Sequence, residues 1–181
     1  MKKIRLAKLE DSEELLEVYG SGGIFLPYTD IKEIKKCIKE NNKGKISLIV
    51  LELDEKIIGA LKLHRPQSHI GKGGKVAVLP DYRGQGIGQL LYKSAIKIFD
   101  MEGRRKVTDS LVGENLSVTA MFEKLGFEIE ARMRKHTPGK KDLYQFAYHI
   151  DEKGIPEIGE EIIFDIPITE YMKDLKEKNK K

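Results

Sequence analysis

Long apolar runs, paired cysteines and a broad excess of one charge are all missing from this 181-residue sequence. No stretch approaches the roughly 20 apolar residues of a membrane-spanning helix, so no membrane partner is expected. The start, MKKIRLAKLED, carries cations but no apolar stretch behind them, and does not read as a secretory signal. The single cysteine, Cys37, cannot form an internal disulfide, which suits a reducing cytoplasm. It sits beside Ile38 on a helical segment and reads as a small core residue. Net charge is +4, and the tail from Glu170 to Lys181 supplies half of it. The body is therefore nearly neutral, and no basic stripe points to nucleic acid. The histidines at His64, His69, His136 and His149 lack paired ligand spacing, so no metal centre is expected. No internal repeat or low-complexity region is found.

What is present is a globular composition, 40% hydrophobic and 34% charged, long enough for one domain with a real core. Residues 3–7 read as a first strand. Asp11 and Glu14 read as a capping box before a short helix. "GSGGIFLPY" (20–28) breaks that helix, and a second begins near Thr29 or Asp30, with Ile31, Ile34 and Ile38 on one face. Strands at 46–53 and 56–64 flank Asp54-Glu55 as a hairpin. "RPQSHIGKGG" (65–74) reads as a polar, glycine-rich loop, followed by a short strand "KVAVL". A helix then starts at the glycines near 87, and a strand covers 105–112. Val118, Met121, Phe122 and Leu125 give a further helix, stopped by Gly126. Two last strands fall around 127–136 and 142–150. After Ile150 the chain changes character: a linker, a strand at 161–166 that could pack on this domain or on a neighbour, and a lysine-rich end.

The stretch "VLPDYRGQGIG" (78–88) has the composition of a phosphate-holding loop. A dinucleotide fingerprint needs G-x-G-x-x-G, and Gln89 stands at the last required position. A P-loop needs G-x-x-x-x-G-K followed by Ser or Thr; after Gly74-Lys75 comes Val76, and His69 stands where the first glycine should be. The pattern that fits is Arg83, Gly86 and Gly88, with Gly84 added, between a strand and a helix. Unpaired N–H groups at a helix N-terminus favour an anion, and absent Cβ atoms let a pyrophosphate approach the main chain. A turn that merely joins strand to helix is the bland alternative.

The spacing Arg-x-x-Gly-x-Gly resembles the acyl-CoA signature of the GNAT superfamily of N-acetyltransferases. "ENLSVTAMFEKLGF" (114–127) resembles that family's second motif, and the element order matches over roughly residues 2–150. The resemblance implies an α/β (mixed α+β) fold: a central, mostly antiparallel twisted sheet flanked by helices. It implies a GNAT domain over 1–150 and an extension over 151–181, with acetyl-CoA as cosubstrate and an amine as acceptor. A homodimer, with 161–166 as its strand, is a further expectation.

Carried onto this sequence, the resemblance assigns cofactor binding to Val76, Val78, Leu79, Arg83, Gly84, Gln85, Gly86, Ile87, Gly88, Gln89, Asn115 and Phe122. The backbone of Val76 and Val78 would meet pantetheine and supply an oxyanion donor, with Leu79 at the strand end. Asn115 would contact the pantetheine arm, or simply cap a helix. Many members carry a Tyr just before E-K-x-G-F to protonate the leaving thiolate. This chain has Phe122 there, so Tyr144, Tyr148 or Tyr82, or water, would have to act instead. The fourth strand, "GKVAV", lacks the Glu that some members use as base. Glu52, Asp109, Glu114 and His64 remain as candidates. Asp109 interrupts an apolar strand pattern, which fits either a buried base with a raised pKa or an edge facing solvent. Asp109, Glu52 and Tyr144 are the catalytic candidates. The acceptor is expected to be a small amine; a protein lysine or N-terminus, or a non-catalytic acyl-CoA-binding role, are the alternatives.

Overall fold

Eight strands form one sheet in the computed structural model, in the order β6-β7-β5-β4-β3-β2-β1-β8. The structure describes residues 1–21, 30–41, 45–168 and 170–179. Along the chain come β1 (Lys2–Leu6), α1 (Ser12–Gly20), α2 (Ile31–Lys39), β2 (Ile46–Leu53), β3 (Lys56–Gln67) and β4 (Ile70–Val78). Then follow α3 (Ile87–Met101), β5 (Lys106–Val112), α4 (Leu116–Lys124), β6 (Glu128–Met133), β7 (Leu143–His149), the single turn α5 (Ile150–Lys153), β8 (Ile162–Asp165) and α6 (Glu170–Lys178). All neighbours are antiparallel except β4 with β5 and β1 with β8.

The centre of the sheet is apolar on both faces because helices cover both. In β2, Leu48 and Val50 join Leu15, Val18, Ile34 and Ile38 of α1 and α2. Ile49 and Leu51, one residue out of phase, join Leu91, Ala95 and Phe99 of α3 on the other face. The β2–β3 hairpin turns at Asp54 and Glu55, both with positive φ (48° and 68°), the pattern that matches strand twist in a two-residue turn. The C-terminal extension contributes to the same body: β8 lies parallel to β1, and Met172 of α6 is buried in the α3-side core.

Two local expectations need correction. The segment 65–74 is no loop: β3 runs on to Gln67 and β4 begins at Ile70. Its glycines answer a packing demand, since a Cβ at Gly71 would lie 2.4 Å from the Phe99 ring and one at Gly73 2.6 Å from Tyr92. Asp11 does not cap α1; its carboxylate takes two bonds from Arg5 (2.7 and 3.0 Å) and one from the Lys8 N–H. The helix expected near Thr29 or Asp30 does begin there: Asp30 is its cap, accepting from Lys32 N–H at 2.8 Å, and Ile31 is its first residue, while Thr29 lies outside the described residues.

A buried charge triad holds the β3–β4 hairpin to the end of α3. Glu102 accepts from Arg65 (Nε 2.9 Å, Nη2 2.5 Å) and from Arg104 Nε (2.6 Å). Arg104 Nη1 reaches back to the carbonyls of Ser68 and Ile70 at 2.9 and 3.0 Å. The two arginines share one carboxylate, and their remaining donors go to Ser47 Oγ and to main-chain carbonyls, which supplies the hydrogen bonds that buried charge needs. The triad fixes where β4 starts, and so where it can leave its neighbour.

Candidate active site

β4 and β5 pair only at their beginnings, Ile70–Lys72 against Lys106–Thr108. Beyond that, β4 keeps β3 on one side, and β5 keeps β7 on its far side. The wedge between them is a cavity of about 850 Å³. Its walls include Val76 of β4, Asp109 of β5, Tyr92 of α3, Asn115 and Phe122 of the α4 segment, and Tyr144 of β7.

A bulge shapes the β4 wall. Ala60 pairs with Ala77 and Lys62 with Gly74, so Leu61 alone faces both Lys75 and Val76. Lys75 accommodates the extra residue with φ of 53°. Past the bulge the ladder resumes: Leu79 N–H donates to the Ile58 carbonyl at 3.0 Å, and the Leu79 side chain is buried with α1 and α2. Polar groups alternate direction along a strand, so the main chain of Val78 faces away from β3, toward the wedge. Leu79, expected to face the cofactor, is thus committed to the sheet.

The glycine stretch begins α3. Gly84 and Gly86 have φ of 76° and 77°, left-handed values that favour glycine, and a Cβ on either would meet no atom within 4 Å. Gly86 caps α3, and the first N–H groups of any helix have no partner within it. Gly88 is glycine for a different reason, since a Cβ there would come 3.1 Å from Met121 Sδ of α4. Ile87 turns its side chain into the core, Gln89 is half-buried, and Gln85 Nε2 donates to the Asp81 carbonyl at 2.9 Å. Arg83 braces the loop: Nε donates to the Val78 carbonyl at 3.0 Å and Nη2 to the Ser21 carbonyl at 2.7 Å. Its guanidinium holds backbone carbonyls at the exposed edge of the loop.

Asp109 is buried on the wedge wall, not on a solvent-facing edge. Its carboxylate accepts from Tyr92 Oη and from the Ser110 N–H at 2.6 Å. Burial pushes its pKa up to about 7, although the Tyr92 and Ser110 bonds and Lys72 pull it down. Tyr92, absent from the sequence candidates, lies within the helical stripe of α3 and there resembles any core aromatic. Burial and the Asp109 carboxylate hold its hydroxyl well above the ordinary tyrosine range. Phe122 stands edge-on to Tyr92 at 5.0 Å and against Phe127 and Phe146 at 5.0 and 4.8 Å.

The remaining candidates separate cleanly. Tyr144 lines the cavity, with the Arg132 guanidinium 5.5 Å from its ring centre. Asn115 caps α4, accepting from Val118 N–H at 3.2 Å and Ser117 Oγ at 2.8 Å, while also bordering the cavity. Glu114 borders it too. Glu52 does not: it lies on β2 and is paired with Arg5 Nε at 2.7 Å. Tyr148 is engaged with the Gly154 carbonyl at 2.9 Å, and Tyr82 packs partly buried against both cores. His64 is half-buried, its pKa lowered to about 4 by burial and then by Lys62, Lys72, Lys75 and Arg65. His149, expected to lack companions, lies with Asp151 and Glu152 so that one potential ligand atom from each falls within 4.8 Å; both carboxylates are exposed. No helix among the described residues is long and apolar enough to cross a membrane.

The sheet is open and mixed, and parts at its one central parallel pair beside a glycine-started helix. Residues 12–127 match the model of the acetyltransferase (GNAT) family, and the chain belongs to that family. An acetyltransferase of Sodalis glossinidius is 26% identical over 129 residues, which are 71% of this chain and 88% of that one. Among solved structures, yncA of Salmonella typhimurium with its cofactor acetyl-CoA superposes with a TM-score of 0.73 at 18% identity, covering 88% of this chain and 99% of that one. A ribosomal-protein-alanine N-acetyltransferase of Brucella melitensis gives 0.71 at 20% identity, over 81% and 98% of the two chains. These structural likenesses concern the fold.

Proposed function

We propose that this protein moves an acetyl group from acetyl-CoA directly onto a primary amine, with a small molecule as acceptor. The observation that carries the reading is the parting of β4 from β5 beside the start of α3, with Asp109 on one wall. Acetyl-CoA as cosubstrate is supported by the family and by the cofactor held in the Salmonella neighbour. In this reading the pyrophosphate lies over residues 84–89, pantetheine runs beside Val76 and Val78, and Phe122 and Asn115 border the acyl arm. Residues 1–150 form the transferase domain and 151–181 an extension of it.

Asp109 accepts a proton from the acceptor ammonium, and Tyr92 acts as a positioning residue that fixes the carboxylate. The neutral nitrogen attacks the thioester carbonyl carbon, and the Val76 N–H, turned by the bulge at Lys75, steadies the negative oxygen. As the intermediate collapses the C–S bond breaks, the thiolate takes a proton from the Tyr144 hydroxyl, and the second proton of the attacking nitrogen passes through water to restore that tyrosine. The products are an N-acetyl amine and the CoA thiol.

Thiol release from acetyl-CoA, measured with a panel of small amines and peptides, tests the reading. Release should depend on an amine and rise with pH through about 7, where Asp109 ionises. Asp109→Asn should lower kcat by about 10²–10⁴-fold, the usual contribution of a positioned base. Tight acetyl-CoA binding without release on any amine would leave a binding module instead, and release on peptides alone would move the acceptor to protein.

A further inference from the structure

The opposite face of the parted strands carries a cluster of lysines that the transfer chemistry does not use. Leu61 and Leu63 enter the α3-side core, so Lys62 and His64 project from the other face of β3. On β4, Gly71 and Gly73 face Phe99 and Tyr92, which turns Lys72 to that same other face. Register places His64 beside Lys72 and Lys62 beside Gly74, with Lys75 next along at the bulge. Residues opposite or diagonal on adjacent strands lie within side-chain reach of one another, and like charges so placed oppose folding.

The cluster is built into the protein and is not a solvated fringe. Lys62 is only 9% exposed, and Lys72 and Lys75 are half-buried on the cavity wall. Lys72 Nζ donates across the gap to Ser110 Oγ of β5 at 3.3 Å. His64, in their midst, is driven neutral and adds no negative charge. Arg65 is paired with Glu102, a carboxylate it shares with Arg104. Cys37 and Glu33 of α2 act on Lys75, and Asp109 acts on Lys72. Of these, Asp109 is the base of the proposed reaction and loses its charge on taking the proton. Glu114 and Asp142 border the same cavity at the β5 end, where Asp142 is held by Arg132 Nε at 2.7 Å and by the Lys135 N–H at 2.8 Å.

We propose that Lys62, Lys72 and Lys75 form a subsite for an acidic group, carboxylate or phosphate, carried by the acceptor amine. The inference rests on the N-acetyl-transfer reading and narrows its acceptor. The subsite holds the acid on the lysine face while the amine reaches Asp109 through the gap between β4 and β5. Polyamines, which would bring only positive charge to this face, are disfavoured acceptors.

Matched acceptors test it: an amino acid, its amide, the corresponding aminophosphonate, and spermidine. The acidic members should exceed the amide in kcat/KM by about tenfold or more, equivalent to one well-placed charge-assisted contact. The ratio of phosphonate to carboxylate tells which acid the subsite prefers. Lys72→Gln should bring acid and amide close to parity with the KM for acetyl-CoA unchanged; using the ratio cancels any effect of Lys72 on Asp109. Amide or spermidine accepted as well as the acids would overturn the inference and leave the transfer reading standing. If no amine turns over, the transfer reading fails, and the subsite is judged by binding. Titrating the N-acetyl amino acid and its amide into CoA-loaded protein should then still favour the acid, and equal binding or none rejects the subsite.

Discussion

Burial shifts both Asp109 and His64 toward the neutral form, yet they act oppositely on stability. The folded chain keeps the Asp109 proton up to about pH 7, whereas a carboxyl of ordinary value 3.8 has released it much earlier. Across that window the folded state binds more protons, so this group's stabilising contribution declines as pH rises. His64 titrates at about 4 in place of 6.5, so the unfolded chain binds the extra proton and stability climbs with pH between those values. Thermal melts from pH 4 to 7 should show Asp109→Asn gaining on the wild type as pH rises, and His64→Gln falling behind it. A gap that stays constant for either variant would mean that residue's pKa is not displaced. At this scale Asp109 was legible because a charge inside an apolar strand pattern stands out. Tyr92 was not, because an aromatic on a helical stripe reads as core until its hydroxyl is seen on a carboxylate. The lysines were equally hidden, since only register and a bulge bring Lys62, Lys72 and Lys75 round one histidine.

Individual elements show why the same residue type can carry two messages. Glycines at 84 and 86 mark left-handed backbone, whereas Gly71 and Gly73 make room for rings of α3 inside a strand. Sequence reading took the second pair for a loop because composition reports the absence of a side chain, not the reason for it. The glycine-started helix was readable from spacing, since a phosphate-holding loop must place small residues next to unpaired N–H groups. Arg83 was readable as part of that loop, but its bonds to Val78 and Ser21 depend on how β4 and the end of α1 come together. Gly86→Val forces a β-branched side chain into left-handed backbone, at a cost of about 1–2 kcal/mol, and covers the N–H groups of α3. Calorimetric titration should show acetyl-CoA affinity falling at least about tenfold, the loss that 1.4 kcal/mol represents. Unchanged affinity in a folded variant would remove the glycine loop from the cofactor site.

The whole molecule places a buried carboxylate, a bulged strand and a helix start around one gap, and the gap exists because a parallel pair separates after three residues. Element order was readable from hydrophobic period and turn chemistry. Strand order was not, because no local pattern announces where two paired strands part. The extension after Ile150 was also undecidable from sequence, because a four-residue strand pairs by whatever edge it meets; here that edge is β1 of its own sheet. The one thiol, Cys37, is buried with α1 and α2, on the far side of the sheet from α3. The central claim is that acetyl donor and amine meet in this single cleft and react without an acetyl-enzyme. Initial rates measured against acetyl-CoA at several fixed amine concentrations test it most directly. The account predicts double-reciprocal lines that intersect, as a ternary complex requires; parallel lines, the mark of a covalent acetyl-enzyme, would contradict it.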